Sequence, residues 1–248
     1  MLMKYLSSSR LTLIDVCALS FKFDYVEGTN IVAPVTTWYG AFGKLCHDVL
    51  DNIAKGKYHS DHYAIEDYNK GFPACDIPED KRGDYYAKGK QAIIERYYLL
   101  TKMRSEGVII GSELEFNVGF DFAVPQLYGF IDLAYTNEYG KIVIRDYKSS
   151  KPFTPKKMSE QWQPYVYPLA YYLVTGVKPD IFEFDHFMHG ETRTVIIDDV
   201  HLELAKAKIK AQWIKIQKSN YAATYNWFWC NNFCEYKHAC PLFLSKHS

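Results

Sequence analysis

Residues 129–149 read GFIDLAYTNEYGKIVIRDYKS. Two runs rich in β-branched and aromatic residues flank a turn sequence at 138–140 that ends in glycine, a pattern typical of a β-hairpin. If the turn is a three-residue loop with its glycine in the left-handed conformation, Asn137 pairs with Lys141. The stretch therefore predicts two antiparallel strands whose register can be counted residue by residue.

Counting back from that turn places Asp132 directly opposite Asp146. Opposed residues of an antiparallel pair share one face, with Cβ atoms about 4.5–5.5 Å apart, so both carboxylates can bind one cation. Lys148 projects from the same face. Two close carboxylates repel each other unless a cation is bound or a pKa rises, and a hard ion such as Mg²⁺ prefers carboxylate oxygens. The alternative is that both acids flank exposed strands and that Lys148 is a solvated strand-end residue.

Helical and strand-like patterns alternate along the rest of the chain. Apolar residues at helical spacing predict helices over about 7–26, 37–55, 84–104, 159–175 and 200–219. Runs of β-forming residues predict strands over about 113–118, 126–135, 141–147, 181–189 and 192–197. Residues 57–84 lack periodicity and are predicted to form a loop-rich excursion. This order of elements predicts an α/β domain with a mixed sheet.

The composition predicts a soluble, cytoplasmic protein. Apolar residues make up 48% of the 248 residues, which is enough for a substantial core. No run of about 18 apolar residues and no secretory signal are recognisable. Lys plus Arg and Asp plus Glu both total 29, so a phosphate-binding surface must come from local clusters. The candidate clusters, which can equally form a solvated face, are Lys151, Lys156, Lys157, Lys206, Lys208, Lys210, Lys215 and Lys218.

The hairpin resembles the RecB-like branch of the PD-(D/E)XK nuclease superfamily. The pattern Gly129-x-x-Asp132 is similar to the first-acid motif of that branch, and Asp146-Tyr147-Lys148 is similar to its Asp-x-Lys signature. The resemblance extends over most of the chain. It implies a restriction-endonuclease-like mixed β-sheet flanked by helices. It also implies DNA cleavage with Mg²⁺ or Mn²⁺ bound by both aspartates and by the backbone carbonyl of Tyr147.

Two helical motifs extend the resemblance. Gln163-x-x-x-Tyr167 is similar to the motif that follows the hairpin in this branch, where both residues belong to the catalytic set. Gln161 and Tyr165 share the same spacing. His47 lies in a predicted helix similar to an upstream helix of the branch, whose histidine completes the metal shell. The alternative is that His47 is an ordinary core or surface histidine.

Two glutamates precede the hairpin. Glu113 and Glu115 alternate on one predicted strand, so they face the same side. The resemblance would let one of them assist the site from outside the metal shell. Charge on an edge strand explains them equally well.

Cysteines gather near the C-terminal end, where Cys230, Cys234 and Cys240 lie too close together to be unrelated thiols. In a reducing compartment they favour metal ligation over disulfides, and three thiolates leave a tetrahedral site one ligand short.

Iron–sulfur members of the same branch include CRISPR-adaptation exonucleases and AddB-type nuclease domains. Their N-terminal sequences are similar to this one, so the resemblance implies Cys17 as the fourth ligand of a [4Fe–4S] cluster, with Cys46 as the second candidate. Structural Zn²⁺ is the competing cofactor, and the Cys-x3-Cys-x5-Cys spacing is one residue longer than the usual pattern.

These motifs divide the chain into an N-terminal clasp segment, 1–30, a nuclease core, 31–219, and a cysteine-rich C-terminal clasp, 220–248. The expected protein is a metal-dependent DNA exonuclease acting in DNA processing, recombination or repair. Its expected partner is DNA that is single-stranded or has free ends. The alternatives are a non-catalytic DNA-end-binding or recombination accessory protein and a nuclease subunit of a CRISPR-adaptation complex. Helicase or recombination partners and a phage origin, with a host-cytoplasmic location, are left open.

Overall fold

The computed structural model describes residues 3–27 and 37–247. The strands are β1, Tyr5–Leu6; β2, Ile109–Val118; β3, Gln126–Thr136; β4, Ile142–Tyr147; β5, Ile181–His186; and β6, Glu191–Ile196. The α-helices are α1, Ser8–Val16; α2, Ala18–Lys22; α3, Trp38–Ala54; α4, Asp61–Gly71; α5, Glu79–Ser105; α6, Pro155–Ser159; α7, Gln163–Thr175; α8, Asp199–Gln217; α9, Trp227–Asn232; and α10, Pro241–Leu244. Short 3-10 or π-helical turns occur at Phe23–Glu27, Phe72–Cys75, Phe187–His189 and Lys237–Ala239.

All six strands belong to one mixed sheet. β3 pairs antiparallel with β2 on one side and antiparallel with β4 on the other. β5 pairs parallel with β4 and antiparallel with β6. In the β3–β4 hairpin Leu133 pairs with Arg145. The Asn137 N–H donates to the Lys141 carbonyl at 2.9 Å, and Gly140 has a φ of 71°. The predicted hairpin and its register are confirmed.

Two apolar clusters cover the two faces of the sheet. One joins sheet residues such as Ile131 and Phe184 to α1, α7 and α8. The other joins Leu133 and Tyr147 to α3, α4 and α5. The sheet is therefore the middle of three layers, and the predicted α/β class with a mixed sheet is confirmed. Within residues 3–27 and 37–247, no helix combines the length and apolar character needed to cross a membrane.

Residues 57–84 contain a helix, so the predicted loop-rich excursion is wrong. The segment holds α4, a 3-10 turn and the first residues of α5. Ala64, Tyr68, Phe72 and Cys75 are buried at intervals of four, four and three residues, which is helical spacing. They pack in the same cluster as the buried residues of α3 and α5. Charged residues between them, and the small size of the first apolar position, conceal this periodicity in the sequence.

Candidate active site

The candidate site lies in a gap along one side of β3. β1 pairs with β3 at Gln126 and Leu127, whereas the pairs of β3 with β4 begin at Leu133. Because β1 is parallel and β4 antiparallel to β3, the carboxyl ends of β1 and β4 face each other across this gap. A cleft of about 400 Å³ opens there and is lined by Ser8 and by residues 128–130, among others. Ligands commonly bind beyond the carboxyl ends of strands where neighbouring strands diverge.

Three acidic residues form a row across β2, β3 and β4. The β2–β3 register pairs the neighbours of Glu113 with the neighbours of Asp132. The β3–β4 register, continued by one residue from Leu133 and Arg145, places Asp146 opposite Asp132. Glu113 has a φ of 46°, a left-handed conformation that is uncommon for residues with a side chain. Residues with such strained backbones cluster at functional sites. We call Glu113, Asp132 and Asp146 the acidic row.

His47 reaches the acidic row from α3. Its Nδ1 lies 3.5 Å from Asp132 Oδ2, and its Nε2 lies 3.1 Å from the Tyr147 carbonyl oxygen. The Tyr147 N–H donates to the same Asp132 oxygen at 2.7 Å. One ligand atom each from His47, Glu113 and Asp132 lie within 4.8 Å of one another. This group has the size and the donor types of a metal site.

The electrostatics of the row favour a bound cation. Burial raises the pKa of Asp146 to about 6 against the attraction of Lys148, and Asp132 adds to the rise. Burial also acts to raise the pKa of Asp132, but His47 and Lys148 hold it below its ordinary value. For His47, burial acts to lower the pKa, and the neighbouring Asp132 more than offsets it, so that the pKa is raised. Burial and Asp132 raise the pKa of Glu113 as well. Asp146 and Glu113 therefore bind protons more readily than isolated carboxylates, whereas Asp132 stays ionised, and a metal ion can take the place of the bound protons.

Lys148 lies just beyond β4 and forms an ion pair with Asp146. Its backbone N–H donates to the Asp185 carbonyl at 2.8 Å, and its Nζ lies 5.5 Å from the centre of the Phe184 ring. Asp146 is only 2% exposed. The structure thus brings Asp132, Asp146 and Lys148 together, in the arrangement that the hairpin register predicts.

Tyr167 and Gln163, both on α7, lie in different clefts. Tyr167 lines the same cleft as the acidic row, and burial together with Asp146 and Asp132 raises its pKa. Gln163 lines an adjoining cleft of about 340 Å³, which shares Ser9 with the first. Its Oε1 is buried and has no hydrogen-bond partner among the described residues.

The alternative pair, Gln161 and Tyr165, makes other contacts. The Tyr165 ring stacks on the His201 ring of α8 with centroids 5.1 Å apart, and Lys208 lies 3.6 Å from its centre. Gln161 Nε2 donates to the Lys157 carbonyl at 3.0 Å. Of the two tyrosines, it is Tyr167 that lies beside the acidic row.

The sequence left one residue of the cleft undecided and did not point to three others. Glu113 was one of two equal candidates, and the structure separates them because Glu115 is exposed and pairs opposite Phe130. Ser7, Ser8 and Ser9 were not predicted as site residues. Ser7 does cap α1, accepting the Arg10 N–H at 3.3 Å, but all three serines also line the cleft. Their position depends on β1, which is too short to be recognised in the sequence.

Cysteines from opposite ends of the chain lie close together. Cys17 has an extended backbone between α1 and α2. Burial raises the pKa of the Cys234 thiol, and the nearby Cys230 and Cys17 add to the rise. The Ser20 Oγ of α2 lies 3.7 Å from Cys234 Sγ, so α2 contacts the C-terminal segment directly. Cys240 immediately precedes α10.

Cys46 and Cys75 lie in the second apolar cluster, away from these residues. They are 0% and 3% exposed. Burial raises the pKa of both thiols, so both behave as neutral, packed side chains.

The lysines of α8 are engaged outside the cleft. Lys210 pairs with Asp121, and Lys215 pairs with Asp15. Lys208 lies over an aromatic ring. None of the described α8 lysines lines the cleft of the acidic row.

Residues 5–241 match the family model of the PD-(D/E)XK nuclease superfamily. No curated protein sequence matches the chain. Among solved structures, the crystal structure of "Putative exonuclease" from Eubacterium rectale is similar with a TM-score of 0.54 and 12% identity, covering 98% of this chain and 88% of that chain. The crystal structure of SSO0001 is 15% identical, with a TM-score of 0.37 and coverage of 79% of this chain and 84% of that chain.

Proposed function

This chain belongs to the PD-(D/E)XK nuclease superfamily, and from that membership we propose that it is a divalent-metal-dependent DNA exonuclease. The observation that carries the proposal is the acidic row: Glu113, Asp132 and His47 line one cleft. Asp146 is buried opposite Asp132 on the neighbouring strand. The similar fold from Eubacterium rectale bears the name "Putative exonuclease", which supports the narrower assignment. A role in DNA repair or recombination is part of the proposal.

The donor set fits Mg²⁺ or Mn²⁺, since carboxylate and carbonyl oxygens suit both ions. Asp132, Asp146, the Tyr147 carbonyl and His47 would hold the ion, and Glu113 lies near enough to support it. Such an ion, when bound, polarises a phosphoryl oxygen and lowers the pKa of an attacking water. The raised pKa of Asp146 and the buried position of its carboxylate fit a residue whose negative charge Lys148 compensates only in part before an ion binds.

Three side chains would act on the substrate directly. Lys148 lies beside Asp146, where its ammonium group can orient the attacking water or stabilise charge that develops on the phosphate. Tyr167 lines the cleft, and its hydroxyl can donate a hydrogen bond to the DNA backbone. Gln163 has an unpaired buried oxygen in the adjoining cleft, where it would contact the same strand farther along.

Digestion of end-labelled linear DNA tests the proposal, with single-stranded and double-stranded substrates incubated in Mg²⁺, Mn²⁺ or EDTA. We expect products shortened from an end with either metal, intact DNA in EDTA, and resistance of a covalently closed circle. Cutting of the circle would identify an endonuclease instead. DNA binding without any cleavage would favour the accessory-protein alternative.

His47→Ala should increase the metal concentration needed for half-maximal activity by about tenfold to a hundredfold. The physical reason is the loss of one ligand that approaches from α3 while the carboxylates remain. The measurement is a Mn²⁺ titration of the cleavage rate, with partial recovery at high Mn²⁺. His59→Ala, at an exposed histidine outside the cleft, is the matched control. An unchanged titration for His47→Ala would show that this histidine is not a ligand.

We also propose that Cys17, Cys230, Cys234 and Cys240 bind a [4Fe–4S] cluster, with structural Zn²⁺ as the competing cofactor. The observation that supports it is the contact between the two ends of the chain: α2 begins directly after Cys17, and its Ser20 Oγ lies 3.7 Å from Cys234 Sγ. Four thiolates are the ligand set that such a cluster needs. Linking Cys17 to Cys230 closes a loop of most of the chain, which by analogy with cross-link entropy stabilises the fold by about 5 kcal/mol.

Cys17→Ser should remove the cluster as completely as Cys234→Ser, because no neighbouring cysteine can replace a ligand from the opposite chain end. Protein purified without oxygen should contain about four irons and four sulfides per chain before substitution. Iron and sulfide analysis with visible absorbance makes the measurement, and Cys75→Ser, in the second apolar cluster, should retain the iron. A colourless protein that contains only zinc would contradict the proposal. Retention of iron in Cys17→Ser would show that the fourth ligand is not Cys17.

A further inference from the structure

Two aromatic side chains continue the wall of the cleft beyond Asp132. Tyr128 and Phe130 lie on β3, four and two residues before Asp132 respectively, and all three line the cleft. The ring centroids of Tyr128 and Phe130 are 5.8 Å apart. The residues that alternate with them, Leu127 and Ile131, are buried in the core on the other face. The rings therefore belong to the open face of the strand.

A third ring, on β1, packs next to this wall. Tyr5 lies 4.8 Å from Tyr128, measured between ring centroids, and the Arg10 guanidinium lies 3.8 Å from the centre of the Tyr5 ring. Phe130, Tyr128 and Tyr5 thus form a continuous row that starts beside the acidic row and crosses from β3 to β1. We call these three residues the aromatic track.

The aromatic track is accessible where a solvent-facing strand would ordinarily carry polar residues. Phe130 is 40% exposed, and Tyr128 and Tyr5 are partly exposed. Aromatic rings side by side in a cleft mark a binding surface more often than isolated exposed rings do. The ring faces suit planar, apolar ligands, and nucleobases are the planar groups that a phosphodiester substrate brings to this cleft.

The charges around the cleft fix which side of a DNA strand would face the rings. The exposed Glu115 lies opposite Phe130 on β2, and a hydrogen bond to Glu115 raises the pKa of the Tyr128 hydroxyl. A carboxylate there repels phosphates and can accept hydrogen bonds from base amino groups. Across the cleft, the first turn of α1 contains no acidic residue, and the amino end of a helix attracts negative charge. Bases would therefore face the track, and phosphates would face α1.

We propose that the aromatic track binds the unpaired bases of single-stranded DNA by stacking, next to the phosphate that is cleaved. A paired base already stacks on its neighbours within the duplex, so the track selects a single strand or a frayed end. Because every base has a π-face, this binding tolerates different sequences. The inference rests on the proposed nuclease function, since it identifies the substrate of the same cleft.

Binding is measured in EDTA, where no cleavage interferes, by fluorescence anisotropy with a labelled 12-nucleotide thymidine strand, an abasic strand of equal length and a blunt duplex. The wild-type protein should bind the thymidine strand about fivefold or more tightly than either other ligand, as expected for loss of one stacked base. Phe130→Ala should lose most of this preference, whereas Phe130→Tyr keeps a ring and should retain it. Phe122→Ala removes a fully exposed ring outside the cleft and should bind as the wild type does.

Equal binding of thymidine and abasic strands by the wild type would overturn the inference. So would an undiminished preference in Phe130→Ala. A failure of the proposed nuclease function would give a different result: DNA would stay intact in Mg²⁺ and Mn²⁺. The preference for the thymidine strand is measured in EDTA and does not depend on cleavage.

Discussion

Asp146→Asn should lower metal-dependent DNA cleavage by about a hundredfold to a thousandfold while leaving the protein folded. The substitution keeps the size of the side chain and removes the charge of one of the proposed metal ligands. Lys148→Met should cause a loss of similar size, because the ammonium group beside Asp146 is then missing. The measurement is the rate of shortening of end-labelled DNA at saturating Mg²⁺.

Asp146→Asn should lower the cleavage rate without lowering the stability of the protein. Burial raises the pKa of Asp146 from near 4 to about 6, so the folded protein binds this proton more tightly than the unfolded chain does. The ionised carboxylate therefore lowers stability above about pH 6, and this cost disappears as the pH falls towards 4. In EDTA at pH 7.5 the variant should melt no lower than the wild type, which would exclude unfolding as the cause of lost cleavage.

A carboxylate in the turn of the same hairpin provides the control for this experiment. Glu138 is exposed, and Glu138→Gln should cleave as the wild type does. Wild-type rates in both Asp146→Asn and Lys148→Met would refute the assignment of the acidic row as the active site.

Arg145→Met should lower the free energy of unfolding by about 3–5 kcal/mol. Arg145 is 8% exposed, and its Nε lies 2.5 Å from Glu183 Oε1 on β5. The Arg145 Nη1 also lies 3.5 Å from Asp185 Oδ2. Asp185 accepts two further hydrogen bonds from Arg96. Without the guanidinium, the buried Glu183 carboxylate keeps only the hydroxyl of Tyr135 as a partner among its described contacts. Urea unfolding at pH 7 makes the measurement.

The surface ion pair between Lys88 and Asp84 is the matched control for this loss. These side chains are 49% and 58% exposed, so Lys88→Met should change stability by no more than about 1 kcal/mol. Replacing Glu183 with Met in the Arg145→Met background should recover part of the loss, because the unpaired charge is removed. No recovery in the double variant would show that packing, rather than the uncompensated charge, causes the destabilisation.

The ion pairs of Arg145 with Glu183 and Asp185, here called the ion network, also help to position the site residues of β4. Arg145 and Asp146 are adjacent, and Arg145 is held towards β5 by Glu183 while Asp146 joins the acidic row. The main-chain bond from Lys148 to Asp185 continues the same strand pairing. Loss of the network should therefore reduce activity through misplaced side chains as well as through stability.

Local patterns predicted the parts of the fold that depend on near neighbours. The hairpin register was correct because one turn and the two-residue alternation of strands fix it. The helix expected over 37–55 is found as Trp38–Ala54, since its apolar spacing is regular and Thr37 caps its start. Over 57–84 the same reasoning failed, because the periodic positions there include a small alanine and are separated by charged residues.

The sequence by itself determined that Asp132, Asp146 and Lys148 gather on one hairpin, because a strand pair joined by a short turn is a local structure. Only the tertiary structure decided that Glu113 rather than Glu115 joins the row, that Tyr167 rather than Tyr165 lies beside it, and that β1 leaves a cleft next to β4. These outcomes depend on strand pairing and helix packing between segments distant in sequence, such as β1 and β3. Such pairing is set by packing of the whole domain rather than by the propensity of any single segment.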